Sequence, residues 1–222
     1  IAIIPWNIYL FYGDSKLLAD CYENIKRYVD YVDRTSPSGL TSWGRGDWVP
    51  VKSHSSKELT SSVYFYVDTK ILANAAKLFN KQEDYKHYQA LAEKIRQAIN
   101  DKYLNRETGI YASGVQTELS VPLMWGIVPK DMKAKVARNL AKKVEEAGFH
   151  LDVGVLGAKA ILNALSENGE AETAYKVAAQ DTYPSWGCWI ANGATTLLEN
   201  WDLNATRDIS DNHMMFGEIG GW

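Results

Sequence analysis

The chain has 222 residues, of which 46% are hydrophobic and 23% charged, values typical of a globular protein with one large domain or two small ones. Its formal net charge of −3 gives no electrostatic reason to expect binding to nucleic acid or to an anionic membrane. The sequence lacks the run of about 18 apolar residues that a transmembrane helix needs, so no membrane span is predicted.

Apolar residues recur at helical spacing along most of the chain and predict a succession of helices that begins near residue 13. The predicted helices cover about 14–33, 57–79, 83–103, 115–126, 130–147, 153–166, 169–180 and 188–199, and the tail is expected to begin a ninth. In the first helix, the predicted buried face is formed by Leu17, Cys21, Ile25, Tyr28, Val29 and Val32.

No strand pattern of any length competes with these helices; only "IYAS", after the turn "NRETG", is predicted to be extended. The predicted class is therefore all-α. Helices follow in pairs, joined alternately by short turns and by long loops rich in glycine and aromatic residues, and stacked pairs form either an open solenoid or a closed α/α toroid. Because no repeat of fixed length is visible, the toroid is favoured, with the long loops gathered at one rim.

These long loops contain carboxylates, tryptophans and a histidine. "WGRGDWVP" (43–50) contains Asp47, "YPSWGCWIANGATTLLENWD" (183–202) contains Trp186 and Glu199, and "SDNHMMFGE" (210–218) contains Asn212 and His213. The combination fits carbohydrate hydrolysis, in which carboxylates serve as acid and base while aromatic rings hold the sugar. The 8 tryptophans and 13 tyrosines suit sugar stacking or core packing, and composition does not decide between them.

Each candidate residue also has a structural interpretation. Asp47 can be a turn or capping residue, Glu199 a solvated group at a helix end, and His213 a hydrogen-bonded structural histidine. The stretch "HLD" (150–152) has no third ligand at suitable spacing, so no metal is predicted. Phosphate-binding and dinucleotide motifs are missing too, and no cofactor is predicted.

Several stretches resemble, in the same order, the catalytic domain of bacterial α-L-rhamnosidases. The clearest is "NGATTLLENWD" (192–202), which is similar to the ATTLWE-x-WD segment of that family. The others are "PWNIYLFYGD" (5–14), "GDW" (46–48), "MWGIVPKDMKAKVARNL" (124–140), "HLDVGVLGAKAILNALSENG" (150–169), "YPSWG" (183–187) and "DNHMMFGEIGGW" (211–222). A single match of this kind would be weak evidence, but the ordered set spans nearly the whole chain.

The resemblance implies a barrel of six helical hairpins that hydrolyses terminal α-L-rhamnosyl linkages by single displacement with inversion. It implies that Glu199 is the general base, that Trp48 helps to form the rhamnose pocket and that His213 contacts the sugar. Asp47 and Asn212 match the same motifs and are expected to bind substrate.

Two further positions bear on the site. Trp186, in the aromatic loop, is a candidate for stacking on the sugar. Leu198 stands where the family's motif has a tryptophan, which leaves the preference for the aglycone open.

The resemblance covers only part of that catalytic domain. The family's general acid belongs to a segment upstream of "PWNIYL" that this sequence does not contain, and the first barrel helices and the flanking β domains are not in it either. Residues 1–222 are therefore expected to form a single partial catalytic domain that is inactive by itself. Its exposed helix faces are expected to support dimerisation.

The implied partner is a rhamnose-containing glycan or glycoside, without nucleic acid, membrane, metal or cofactor. The compartment stays open, with a periplasmic or extracellular parent favoured over a cytoplasmic one. Three other functions also stay open. One is a different glycoside hydrolase or lyase on the same toroid, and another is a domain that binds sugar without catalysis. The third is a non-enzymatic helical scaffold, which would predict a residue repeat that is not seen.

Overall fold

The computed structural model describes residues 1–222 and is built almost entirely from helices. Its nine α-helices are α1 (Ile3–Tyr12), α2 (Lys16–Thr35), α3 (Lys57–Leu78), α4 (Gln82–Tyr103), α5 (Gln116–Met124), α6 (Lys133–Glu146), α7 (Val155–Ser166), α8 (Ala171–Ala178) and α9 (Trp186–Ala191). A 3₁₀ helix covers Met214–Gly220, and two short strands, β1 (Leu104–Asn105) and β2 (Ile110–Tyr111), form an antiparallel hairpin. The predicted all-α class is confirmed.

The first helix, α1, was not predicted from the sequence. Its residues are apolar on nearly all sides, so no amphipathic spacing distinguishes it from an extended segment. Pro5 lies in the first turn, where an amide N–H would have no helical partner anyway. Gly13 ends the helix with φ of 70°, and its N–H donates to the carbonyl oxygen of Tyr9 at 2.9 Å.

The chain forms two compact units. The first consists of Ile1–Trp43 and Ser61–Lys102, and the second of Gly44–Thr60 and Tyr103–Trp222. The expectation that residues 1–222 form a single domain stays a prediction. None of the helices combines the length and the apolar character needed to span a bilayer.

In the first unit, the predicted buried face of α2 is confirmed at Ile25, Val29 and Val32 and is wrong in the first half of the helix. The buried residues are Leu18, Tyr22, Ile25, Val29 and Val32, whereas Leu17 is 38% exposed. Leu17 and Leu18 are adjacent apolar residues, as are Cys21 and Tyr22, so spacing alone does not decide which of each pair is buried. The buried Tyr22 donates its hydroxyl hydrogen to Asp84 on α4 at 2.8 Å. An aromatic ring can be buried when its polar end finds such a partner.

In the second unit, α5 is the central helix. All of its residues from Gln116 to Leu123 are buried, and it packs against α6 and α7. The α7 helix also packs against α8 and against the 3₁₀ helix. A helix that is buried on every side lacks a solvent face, so its polar side chains need partners inside the protein.

The eighth predicted helix, about 188–199, is wrong beyond Ala191. The observed α9 ends there because Gly193 adopts a φ of 87°, the left-handed conformation that commonly closes a helix. Residues 194–213 then form an irregular loop, and Glu199 lies on this loop instead of at a helix end.

Candidate active site

Asp47 holds the loop 44–56 against the N-terminus of α7. Its Oδ2 accepts hydrogen bonds from the Thr117 hydroxyl at 2.5 Å and from the Gly154 N–H at 2.8 Å. Its Oδ1 accepts from the N–H groups of Leu156 at 2.8 Å and Gly157 at 3.2 Å. The first amides of a helix have no partner within the helix, so Asp47 satisfies them from a distant part of the chain.

The carboxylate of Asp47 is buried in this position. Burial raises the pKa of Asp47 above its ordinary value, and the hydrogen bonds from Thr117 and the three amides oppose that rise. These donors stabilise the ionised form, which is what makes a buried carboxylate acceptable here.

Trp48 is half-buried and its backbone is attached to the same helix end. Its carbonyl oxygen accepts from the Val155 N–H at 2.9 Å. The guanidinium carbon of Arg45 lies 5.1 Å from the centroid of the Trp48 ring, in a cation–π arrangement. The indole therefore combines a fixed backbone with a partly accessible ring.

A cluster of large aromatic rings contacts the residues that precede α7. Trp201 is 1% exposed, and its indole N–H donates to the carbonyl oxygen of Val153 at 2.9 Å. Its ring centroid lies 4.8 Å from that of Trp189 and 4.4 Å from that of Phe216. The segment Val153–Val155 thus contacts both Trp48 and Trp201, which is two residues beyond Glu199.

Trp186 belongs to this aromatic cluster. It is 4% exposed, and its N–H donates to the carbonyl oxygen of Phe216 at 2.9 Å. Its ring meets that of Trp201 edge to face at 5.4 Å. The Trp186 ring therefore packs within the cluster, and its stacking on a sugar stays a prediction.

Glu199 is half-exposed on a loop that folds back on itself. The segment 196–199 runs beside 210–213: the Glu199 N–H donates to the Ser210 carbonyl at 3.0 Å, and the His213 N–H donates to the Leu197 carbonyl at 2.8 Å. The hydroxyl of Thr196 donates to the carbonyl oxygen of Asp211 in the same ladder. This pairing brings Glu199 and His213, 14 positions apart in the sequence, onto two neighbouring segments.

The imidazole of His213 caps the 3₁₀ helix that follows it. Its Nδ1 accepts from the Met215 N–H at 3.1 Å. A neutral ring that accepts at Nδ1 has its proton on Nε2, so Nε2 is the atom that can donate to a ligand. Asn212, the preceding residue, is exposed, and its N–H donates to the Ser210 hydroxyl at 3.4 Å.

Two further carboxylates hold the Trp48 loop, and sequence reasoning missed both. Glu118 is 2% exposed; its Oε1 accepts from the Ser56 N–H, and its Oε2 from the N–H and hydroxyl of Ser113. Asp152 accepts from the N–H groups of Lys52 and Ser53 at 3.0 and 2.9 Å. The signal for Glu118 is its position directly before the stretch "LSVPL" (119–123), because an acid beside buried apolar residues needs hydrogen-bond partners.

The site therefore consists of loops on an all-α scaffold that present a half-exposed carboxylate, a histidine able to donate a hydrogen bond and a partly accessible tryptophan. These are the groups with which glycoside hydrolases position a sugar and a water molecule.

Comparison with known proteins identifies the family. The family model described as the bacterial alpha-L-rhamnosidase 6 hairpin glycosidase domain matches residues 1–222, and the chain belongs to this family. The α-L-rhamnosidase of Streptomyces avermitilis is 30% identical over 227 residues, which cover 99% of this chain and 22% of that protein.

Solved structures agree with this assignment. The α-L-rhamnosidase of Dictyoglumus thermophilum is 38% identical with a TM-score of 0.92, over 100% of this chain and 26% of that one. The S. avermitilis enzyme in complex with L-rhamnose is 30% identical with a TM-score of 0.92, over 99% and 22%. The predicted fold class, helical hairpins that form part of an α/α toroid, is confirmed. This chain spans about a quarter of the length of these relatives.

Proposed function

We propose that the protein containing this chain hydrolyses terminal α-L-rhamnosyl linkages with inversion at the anomeric carbon, with Glu199 as the general base. The relatives are α-L-rhamnosidases, and the observation that carries the proposal is the placement of Glu199. Its half-exposed carboxylate lies on a loop whose neighbouring segment presents His213. Two residues further on, Trp201 contacts the segment that also holds Trp48.

In the proposed reaction, Glu199 accepts a proton from a water molecule while the water oxygen attacks the anomeric carbon. The attack comes from the face opposite to the glycosidic oxygen, whose bond to the anomeric carbon breaks as the new bond forms. The leaving oxygen takes a proton from a second carboxyl group, about 6.5–9.5 Å from the base in inverting enzymes. That acid is proposed to lie outside residues 1–222.

The other residues bind the sugar in this proposal. The Nε2–H of His213 donates to a sugar hydroxyl, and the accessible part of the Trp48 ring packs against the apolar face of the pyranose. The exposed amide of Asn212 adds a hydrogen bond at the same edge of the site. Leu198 borders a cavity of about 250 Å³ whose lining is mixed, because Leu203 and Ile209 lie there beside Asn200, Asp202, Ser210 and Asp211.

The test uses the whole protein and an aryl α-L-rhamnoside. Glu199→Gln is expected to lower kcat by about 10²–10⁴-fold, because general-base catalysis contributes that much. The matched control is Asp208→Asn, an exposed carboxylate on the same loop with φ of 53°, a conformation that asparagine also tolerates. Equal rates for both variants and the unmodified protein would refute the role of Glu199.

Stereochemistry and sugar preference are tested separately. Proton NMR of the first-formed product is expected to show β-L-rhamnose, and α-L-rhamnose would refute inversion. A panel of other aryl glycosides is expected to react far more slowly than the rhamnoside. A preference for another sugar would favour a different hydrolase on the same fold.

A protein that consists of residues 1–222 alone is proposed to be nearly inactive. Loss of general-acid catalysis costs about 10²–10⁴-fold, and a partly built pocket adds to that loss. The measurement is the rate of aryl rhamnoside hydrolysis by this fragment beside the whole protein. Similar turnover numbers would show that the acid lies within residues 1–222.

We also propose that this fragment dimerises through α1. Its side chains Ile4, Leu10, Phe11 and Tyr12 are 59–81% exposed, and a group of exposed apolar residues of this kind is typical of an interaction surface. Light scattering coupled to size-exclusion chromatography is expected to give a dimer for the fragment and a monomer for Phe11→Asp. A monomeric unmodified fragment would refute the proposal.

A further inference from the structure

We propose that Asp47 is a positioning residue that fixes the Trp48 indole and does not touch the sugar itself. This inference rests on the proposed function, in which Trp48 binds the rhamnosyl ring. It changes the expectation from the sequence, where Asp47 is grouped with the substrate-binding residues.

The first argument is the number of hydrogen bonds that Asp47 accepts. An ionised carboxylate has about four lone-pair positions, two on each oxygen. Oδ2 accepts from Thr117 and Gly154, and Oδ1 accepts from Leu156 and Gly157. All four positions are therefore occupied by donors of the protein, and a sugar hydroxyl would have to displace one of them.

The second argument is the close approach of the loop to α7. A Cβ at Gly154 would lie 2.3 Å from the Trp48 carbonyl oxygen and 2.8 Å from Asp47 Oδ1. A Cβ at Gly157 would lie 2.3 Å from the Thr117 hydroxyl oxygen. Only glycine fits at either position, so the helix end forms a cradle for the backbone and side chain of Asp47.

The third argument concerns the backbone at Trp48 and at its two neighbours in the chain. Asp47 is bonded to the first turn of α7, and the Trp48 carbonyl accepts from Val155. The next residue, Val49, has φ of 51°, a strained conformation for a β-branched residue that persists only when surrounding contacts impose it. Four of these contacts are made by Asp47, and each joins an amide or a hydroxyl to a carboxylate oxygen.

The test is a double-mutant cycle on kcat/KM for an aryl rhamnoside, using the whole protein. Asp47→Asn replaces an acceptor oxygen with a donor that faces the amides of α7. It is expected to lower kcat/KM about tenfold, mainly by raising KM, because lost uniform binding appears in KM. In a Trp48→Ala background the same change is expected to lower kcat/KM less than about twofold, since Asp47 acts through Trp48. Equal losses in both backgrounds would overturn the proposal.

The matched control is Asp152→Asn. Asp152 also holds this loop, because it accepts hydrogen bonds from the backbone N–H groups of Lys52 and Ser53. None of its hydrogen bonds involves Asp47, Trp48 or Val49. This variant is expected to lower the melting temperature while leaving KM within about twofold of the unmodified value. A rise in KM equal to that of Asp47→Asn would mean that general loosening of the loop, and not the position of Trp48, explains the effect.

A second readout does not depend on catalysis. With 5-fluorotryptophan incorporated, the Trp48 ¹⁹F resonance, assigned through Trp48→Phe, is expected to shift and broaden in Asp47→Asn but not in Asp152→Asn. The resonances of Trp189 and Trp201 are expected to stay in place as internal controls. If the protein shows no rhamnosidase activity, the proposed function fails, and the ¹⁹F spectra still decide whether Asp47 positions Trp48. An unchanged Trp48 resonance in Asp47→Asn would refute the positioning role.

Discussion

The backbone N–H of Ser210 donates to Glu199 Oε2 at 3.2 Å, and the N–H of Glu199 donates to the carbonyl oxygen of Ser210 at 3.0 Å. The two residues therefore bond to each other in both directions. One carboxylate oxygen of Glu199 is held by a backbone amide, whereas no hydrogen bond involves the other oxygen. One fixed and one available oxygen suit the role proposed for Glu199, that of a base that orients a single water molecule.

The Ser210 amide is expected to contribute to turnover through this bond. Ser210→Pro removes the N–H and should lower kcat for an aryl rhamnoside at least about tenfold, because a hydrogen bond to a charged group is worth about 1.5–3 kcal/mol. Ser210→Ala keeps the N–H and should leave kcat within about twofold, since the only bond that it removes is the long one, 3.4 Å, from the Asn212 N–H to the Ser210 hydroxyl. A similar loss of kcat in both variants would show that the serine side chain is what matters.

The helices of this protein could be predicted because their burial follows a regular spacing. In α6, the buried residues Val136, Leu140 and Val144 recur every fourth position, and the predicted and observed helices differ by three residues or fewer at either end. The α1 helix lacks such a spacing because it is apolar on most sides. For α9, the dipeptide Asn192–Gly193 is a signal that ends a helix. The apolar residues Leu197 and Leu198 beyond it nevertheless led to the prediction of a longer helix.

The site could be predicted less completely, because its geometry depends on contacts between distant parts of the chain. The motif around Asp47 and Trp48 points to this loop, but Asp47 meets α7 more than 100 positions away in the sequence. The spacing of apolar residues along the chain carries no information about contacts between residues so far apart in the sequence. The same holds for Glu118, whose partners Ser56 and Ser113 lie on two different loops.

Trp201 is expected to be a main contributor to stability. Trp201→Ala removes a ring that is 1% exposed and leaves the Val153 carbonyl without its donor, so the free energy of unfolding should fall by about 3–5 kcal/mol. Trp43, which is 64% exposed, serves as the control, and Trp43→Ala should change stability by less than about 1 kcal/mol. Urea unfolding followed by circular dichroism measures both, and comparable losses would contradict the role of the aromatic cluster.

A side chain at Gly154 is expected to lower the stability of the protein. The Cβ of Gly154→Ala would lie 2.3 Å from the Trp48 carbonyl oxygen, and relief of this overlap would move the loop at a cost of about 1–3 kcal/mol. Gly220 has nothing within 4 Å of the equivalent position, and Gly220→Ala should therefore be nearly neutral. Melting temperatures of the two variants test this difference, and a neutral Gly154→Ala would show that the loop yields without cost.

Asp84 joins α4 to α2 and should make stability depend on pH. Its carboxylate accepts from Lys26 at 2.7 Å and from Tyr22 at 2.8 Å, and the hydrogen bond from Lys26 lowers the pKa of Asp84 below its ordinary 3.8. A carboxyl with a lower pKa in the folded state stabilises the fold above pH 3.8 and loses this effect as the pH falls through the folded value.

Asp84→Asn should therefore lower the free energy of unfolding by about 1–2 kcal/mol at pH 7, and the difference from the unmodified protein should shrink as the pH falls below 3.8. Glu83→Gln is the control on the same helix, because the Glu83 side chain is 91% exposed in its pair with Lys86 and such surface pairs contribute little. Urea unfolding at several pH values measures both variants. A difference for Asp84→Asn that stays constant across this range would mean that the shape of the side chain, and not its charge, stabilises the contact between α2 and α4.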